Sequence, residues 1–402
     1  MHLEGDSLRQ VRRLRSTASV NPLLAMGPLY RAWYWFKGWG VTKGTERRHL
    51  VILLPANWNV PIGGYKVAYE YANNFSRRGW QVTVAHICEF DKRFSWRAVE
   101  RNRGFRVRPS RPSWFKLEDS VVSLQWAYWN PKAVAGVDVV VATAWHTAER
   151  LGPDPRGIYL LQHYEIWGGV QERVDATWRL GLQKIVISEW LRDKARELGA
   201  GEATVVPNAI DLNVFNLDVP PERRSPDEVA MMWHKMEWKG SAEGLEALRI
   251  VKVTRPNLHV TLFAASRKPR GMPDWVTYVQ NANESQLRAI YNRAAVLISP
   301  SHSEGWALPP AEAMACGAAV VTTDNGGVRD YAKNHLTAMI TRIRDPEAMA
   351  KAIIELLNDH SRRYRIALAG HELMANKYNW ATSTDLFEEV LLDRISGANG
   401  ES

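Results

Sequence analysis

Over 402 residues the chain carries two cysteines, Cys88 and Cys316. They lie far apart and give no disulfide framework, which fits a reducing compartment. No uninterrupted apolar run is long enough to span a bilayer. A signal peptide is not expected either, because Pro22, Pro28 and Arg31 break the weakly apolar stretch near the start. Internal repeats and low-complexity segments are absent. So is the full G-x-G-x-x-G pattern, which counts against a nicotinamide-binding enzyme. There is no D-x-D at a strand end and the histidines show no ligand spacing, so no metal and no cofactor is expected. No basic–aromatic repeat or recognised module accompanies the positive charge, which argues against nucleic acid as a partner.

What is present is ordinarily globular: 46% hydrophobic and 24% charged residues. The length predicts two domains, since one core of this size would be unusual. Part of the +9 formal charge sits in the first 50 residues, where nine Lys and Arg face only Glu4, Asp6 and Glu46. The stretch YRAWYWFKGWG (30–40) interleaves aromatic and basic residues. Two readings stay open for this extension (1–48): its aromatics pack on the body of the protein, or they lie at an anionic membrane surface.

From residue 49 short apolar runs alternate with amphipathic ones. HLVILLPA (49–56), QVTVAHI (81–87), DVVVAT (138–143), IYLLQH (158–163), KIVIS (184–188) and ATVVPN (203–208) read as strands. Helices are predicted at 63–79, opened by Gly63 and Gly64, and at 189–200. A polar segment with three prolines, 211–227, has the composition of a linker. The alternation then restarts with strands at 228–233, 259–265 and 296–301 and helices at 241–253 and 284–294. The tail from 345 is helical by period. Such alternation predicts parallel sheets covered on both faces, in two doubly wound domains facing across a cleft. Ligands of such sheets bind beyond the carboxyl ends of the strands. The expected division is 49–210, linker 211–227, 228–377, and a last helix, 378–402, crossing back to the first domain.

The richest stretch is SHSEGWALPPAEAMACGAAVV (301–321). Pro309 and Pro310 can only open a helix and Gly317 is placed to close it. Glu304 is therefore expected in a loop and Glu312 in the first turn of a short helix, whose amino end suits a phosphate. Two carboxylates beside it suit the hydroxyls of a sugar and a ribose. His234, Lys235 and Lys239 follow a strand, where cations can neutralise a diphosphate; a solvated basic turn is the plainer alternative. GGVRD (326–330) is a second glycine pair after a strand, expected to lead into a short helix. His163 is expected at the tip of the strand IYLLQH, where a structural and a functional role are both open.

The run HSEGWALPPAEAMACGAAVVTTDNGG resembles the signature of the retaining glycosyltransferases of family four, which have the GT-B fold. GGYKVAYEYANNFSRRGWQVTV resembles that family's first glycine loop and helix, and KIVISEWLRDKARELGAGEATVVPNAID the segment leading into its linker. More loosely, VATAWHTAE and YLLQHYE resemble bacterial rhamnosyltransferases that build surface glycans. The resemblance implies that Glu304 contacts the donor sugar and that amides around Gly305, Trp306, Ala307 and Leu308 meet the sugar and its phosphate. It further implies that Glu312 binds the ribose, that Lys239 holds the diphosphate, and that His163 lies near donor sugar and acceptor. Gly63 and Gly64 would approach the donor closely. The family usually has an arginine five residues before the lysine; here that position is His234, with Lys235 beside it to supply charge.

The expected activity is transfer of a sugar, rhamnose being one candidate, from a nucleoside diphosphate sugar to a glycan or lipid-linked acceptor in surface polysaccharide synthesis. The expected location is cytoplasmic, at the inner face of the plasma membrane if the membrane reading of the extension holds. Two alternatives are a sugar-nucleotide 2-epimerase of the same fold, which needs no acceptor, and a glycan-binding or scaffolding protein that has lost catalysis.

Overall fold

The computed structural model describes residues 47–56, 60–88, 107–167 and 170–400. Residues 1–46, and with them both readings of the tryptophan-rich extension, lie outside this set.

Strands β1 (His49–Pro55), β2 (Gln81–Ile87), β3 (Val107–Pro109), β4 (Val122–Trp126), β5 (Val139–Ala142), β6 (Gly157–Leu161), β7 (Gln183–Val186) and β8 (Ala203–Val205) form one sheet. Its order is β3-β4-β2-β1-β5-β6-β7-β8, parallel throughout except for the β3–β4 edge. A second sheet joins β9 (Glu228–Met232), β10 (His259–Ala264), β11 (Val276–Gln280), β12 (Val296–Ser299), β13 (Ala319–Thr323) and β14 (Met339–Thr341) in the order β11-β10-β9-β12-β13-β14, all parallel. The central strands are buried along their length, as the unbroken apolar runs of β1, β12 and β13 require of a sheet covered on both faces.

The helices are α1 (Gly63–Arg77), α2 (Trp145–Leu151), α3 (Gln171–Trp178) and α4 (Glu189–Glu197) around the first sheet, then α5 (Ser241–Thr254), α6 (Glu284–Arg293), α7 (Leu308–Ala315) and α8 (Pro346–Asn358) around the second. Two more, α9 (His360–Lys377) and α10 (Trp380–Gly400), end the chain. Helix α10 lies against α1: Arg78 pairs with Asp385 and Glu388, Trp80 Nε1 donates to Glu388, and Phe387 packs edge-on to Tyr71 and Phe75. Between the sheets, the buried Arg224 donates to the carbonyls of Val219, Tyr291, Ala294 and Cys316, which pins the polar segment onto the second domain.

Some local expectations fail. Strand β6 stops at Leu161, so His163 stands two residues beyond the sheet and not at the strand's tip. After Gly326 and Gly327 there is a turn where a short helix was expected. The Asn325 side chain accepts from Val328, and the Lys333 amide donates to the Thr337 hydroxyl, which ends the spiral after one turn.

Candidate active site

The carboxyl ends of both sheets face a cleft, and most of the chemistry-bearing residues gather there. Beyond β12 the chain runs through a loop to α7. Within it the Glu304 amide donates to the Asn325 carbonyl (3.0 Å), a bridge that ties the loop to the second glycine pair. A Cβ on Gly327 would come within 2.6 Å of the Trp306 nitrogen, so glycine there lets the two segments touch. Held this way, the Glu304 carboxylate is buried, and Lys239 Nζ donates to both its oxygens, at 2.7 and 2.9 Å. Lys239 comes from a single 3-10 turn after β9 and also lies over the Trp238 ring, 4.2 Å from its centroid. A buried carboxylate is tolerable only with such a partner.

The first domain closes on this loop. Gly305 touches the Gln162 carbonyl so tightly that a Cβ would fall 1.8 Å from its oxygen, and Trp190 Nε1 donates to the Gly305 carbonyl at 3.1 Å. His163 follows Gln162. Its Nδ1 donates to the Tyr164 carbonyl (3.1 Å), and the Ser303 backbone of the other domain lies against the same buried ring. Burial pushes the His163 pKa down, with Glu304 opposing, which keeps the ring neutral. Glu304, Lys239 and His163 therefore meet across the cleft.

His234 and Lys235 are not part of that group in the way expected. The His234 amide donates to Ser241 Oγ, and its Nδ1 accepts from the Met236 amide at 3.1 Å. Burial lowers its pKa, and Lys239 lowers it further. A neutral ring used as a backbone acceptor shapes the turn and does not supply an arginine's permanent charge. Lys235 is exposed on the same turn.

Glu312 stands apart from Glu304. Helix α7 opens at Leu308, one residue before the prolines, with Ala307 in the left-handed region (φ +52) as its cap. Glu312 therefore falls in the second turn, not the first. Pro309 and Pro310 carry no amide proton, so Leu308 is left as the early donor of this helix. Glu312 is buried between two partners: Lys66 Nζ, from α1 of the other domain, at 3.1 Å on Oε1, and Tyr291 OH at 3.1 Å on Oε2. Burial alone would lower the Lys66 pKa; Glu312 and Glu284 outweigh it and raise it. Two recesses result. Glu304 and Lys239 line one with Ala307, Pro309 and Pro310; Glu312 lines the other with Lys66, Glu70, Glu284 and Leu308. Gly63 and Gly64 open α1 beside the second recess, Gly63 against Leu308 and Gly64 against the Gln162 side chain.

Lys66, Tyr291, Gln162 and the cleft tryptophans are the residues that sequence reasoning missed. A cation one turn after Gly63–Gly64 was a visible signal for Lys66; nothing local marked Tyr291.

Residues 225–372 match the glycosyl transferases group 1 family. The glycogen synthase of Mycobacterium tuberculosis is 26% identical over 220 residues, 52% of this chain and 53% of that protein, so the chain spans about half the length of this curated relative. The D-inositol 3-phosphate glycosyltransferase of Xylanimonas cellulosilytica is 34% identical over 110 residues, 27% of this chain and 26% of that one. Among solved structures, sucrose-phosphate synthase from Thermosynechococcus elongatus superposes with a TM-score of 0.70 at 16% identity, covering 87% of this chain and 100% of that one. Anabaena HepE in complex with UDP-glucose superposes at 0.65 with 15% identity, covering 85% and 99%. The stretch that matches the group 1 family thus lies in the second half of a two-domain GT-B fold.

Proposed function

We propose that the protein is a retaining glycosyltransferase that moves a sugar from a nucleoside diphosphate sugar to a glycan or lipid-linked acceptor, without a metal. The observation that carries this reading is the meeting of Lys239, Glu304 and the neutral His163 at the strand ends of a group 1 domain. In this reading residues 49–210 bind the acceptor and 228–377 the donor. The bond from the anomeric carbon to the diphosphate breaks, and the acceptor oxygen bonds to the same face. The acceptor's proton passes to the departing phosphate oxygen. Lys239 and the amides between Gly305 and Leu308 stabilise the negative charge that grows on the diphosphate. Glu304 holds the donor sugar's hydroxyls, and the Glu312 recess takes the ribose. HepE and its UDP-glucose support a nucleotide-sugar donor. Rhamnose, and a role in surface polysaccharide synthesis, rest on the looser likeness to rhamnosyltransferases.

A nucleotide-sugar panel tests the proposal by thermal shift, since a ligand that binds only the folded state raises the melting temperature. Nucleoside diphosphate release is then followed with and without saccharide acceptors. A panel that leaves the melting temperature unmoved sinks the reading; a sugar altered without an acceptor turns it into an epimerase. A cytoplasmic enzyme whose residues 1–46 dock on an anionic membrane completes the proposal. No helix among the described residues is long and apolar enough to cross a membrane. Co-sedimentation with anionic vesicles, with and without residues 1–45 and at low and high salt, tests the docking.

A further inference from the structure

We propose that helix α4 has two interchangeable amino-terminal caps, its own Ser188 and Asp330 of the second domain, and that it swaps one for the other as the cleft opens and closes. The swap needs no particular ligand and is independent of the transferase reading. Serine is a preferred N-cap, and Ser188 has the extended backbone of one, with φ −158 and ψ 157. Yet its side chain caps nothing. The residue is fully buried and its hydroxyl has no hydrogen-bond partner. The Glu189 amide, the first of the helix, donates instead to Asp330, 3.3 Å from each carboxylate oxygen. Glu189 turns its own carboxylate to Arg192 and leaves the helix end to Asp330. An anion there also meets the positive end of the helix dipole.

A buried hydroxyl without a partner costs stability, which calls for a second state in which Ser188 is used. An N-cap hydroxyl ordinarily accepts from the second or third amide of its helix, here Trp190 or Leu191. Asp330 takes the first. The two caps therefore hold different amides, and the amide that is held tells which cap is on. The same contact reaches the candidate site. Trp190 follows Glu189 and lies over Gly326, where a Cβ would come within 3.1 Å of its ring, and its Nε1 donates to the Gly305 carbonyl. The Asp330 carbonyl accepts from Tyr378 OH at 2.9 Å, a bond that a change of the Asp330 side chain leaves in place. With the cleft shut, Asp330 caps α4 and Trp190 sits on the loop that carries Glu304. With the cleft parted, Asp330 leaves with the second domain, and a χ1 turn of Ser188 caps the helix from within. Neither state leaves α4 bare, so the contact adds little bias of its own and closure is left to whatever fills the cleft.

Amide hydrogen exchange on the full chain, resolved to single residues, tests the swap. Asp330→Ala should speed exchange at Glu189 about fivefold or more, and slow it at Trp190 or Leu191 by a similar factor as the serine takes over. Asp330→Asn, whose amide oxygen still accepts, should match wild type. Ser188→Ala alone should leave all three amides unchanged, and combined with Asp330→Ala it should abolish the slowing. Gly305→Ala keeps the aspartate but sets a Cβ against the Gln162 carbonyl, which parts the domains. It should give the same transfer from Glu189 to Trp190 or Leu191, and it replaces Asp330→Ala if melting curves show that variant unfolded. A Glu189 amide unchanged in both Asp330→Ala and Gly305→Ala overturns the cross-domain cap. Faster exchange at Glu189 with no slowing at Trp190 or Leu191 overturns the swap. So does faster exchange at Trp190 or Leu191 in Ser188→Ala alone, since the serine would then already be the cap.

Discussion

Glu304 and Glu312 are both buried, both partnered by a lysine and separated by a few residues of loop and helix, yet their pairings differ in kind. Lys239 reaches Glu304 from within the same domain, with both carboxylate oxygens taken. Lys66 reaches Glu312 from across the cleft, and Tyr291 holds the other oxygen from the home side. The first pair survives any separation of the domains. The second exists only while they touch. One carboxylate belongs to the architecture of the second domain; the other reports the state of the cleft.

The largest effect expected on this contrast comes from Lys239→Ala. It strands a buried carboxylate, at a cost of about 3–5 kcal/mol to folding. Under the proposed function turnover also falls about 10²-fold or more, as when an electrostatic stabiliser of the transition state is removed. Chemical denaturation and nucleoside diphosphate release measure the two, and an unchanged turnover would remove Lys239 from the diphosphate site. Next comes Glu312→Ala, which should weaken nucleoside diphosphate binding by about 1.5–3 kcal/mol, the worth of a hydrogen bond to a charged group. Glu304→Ala should reduce turnover more than affinity. Calorimetry that finds both variants binding like wild type contradicts the ribose assignment of Glu312.

A pH experiment sharpens the contrast further. Glu70 shares the Glu312 recess, and burial raises its pKa from 4.5 to about 7, with Lys66 opposing. A raised carboxyl binds its proton more tightly in the folded state, so its contribution to stability falls as pH rises from 4.5 through 7. Glu70→Gln should therefore gain on wild type across that window, by on the order of 3 kcal/mol, and run parallel to it on either side. Denaturation curves at stepped pH would contradict this by staying parallel throughout. The smallest effect on stability is expected from Lys66→Met, because opening the cleft returns Glu312 to water instead of leaving it buried and unpaired. Its signature is shape: small-angle scattering should show a larger radius of gyration for Lys66→Met, and no such change for a conservative Lys239→Arg.

Much of this arrangement was legible in the sequence wherever the cause was local. β2 spans the predicted 81–87, where the β-branched Val82, Thr83 and Val84 follow the Gly79 turn, and the prolines and Gly317 bracket α7 closely. Strand β4, read as VSLQW, was overlooked because polar residues interrupt it, and it buries Ser123 while Leu124 stays half-buried. Helices α2 and α3 are too short to build a period. The Lys66–Glu312 pair joins residues 246 positions apart, and no spacing rule reaches that far. His234 shows the converse. Its identity was plain, but its neutral state came from burial and from Lys239, which only the folded chain supplies.

The contact at Gly305 has a practical consequence. One methyl group there would meet the Gln162 carbonyl head-on, from a residue whose neighbour Glu304 is firmly anchored in the opposite domain. Gly305→Ala would act as a wedge, propping the molecule ajar without touching a charged side chain. It is the change to make for a trapped open form in which Glu312 is free of Lys66.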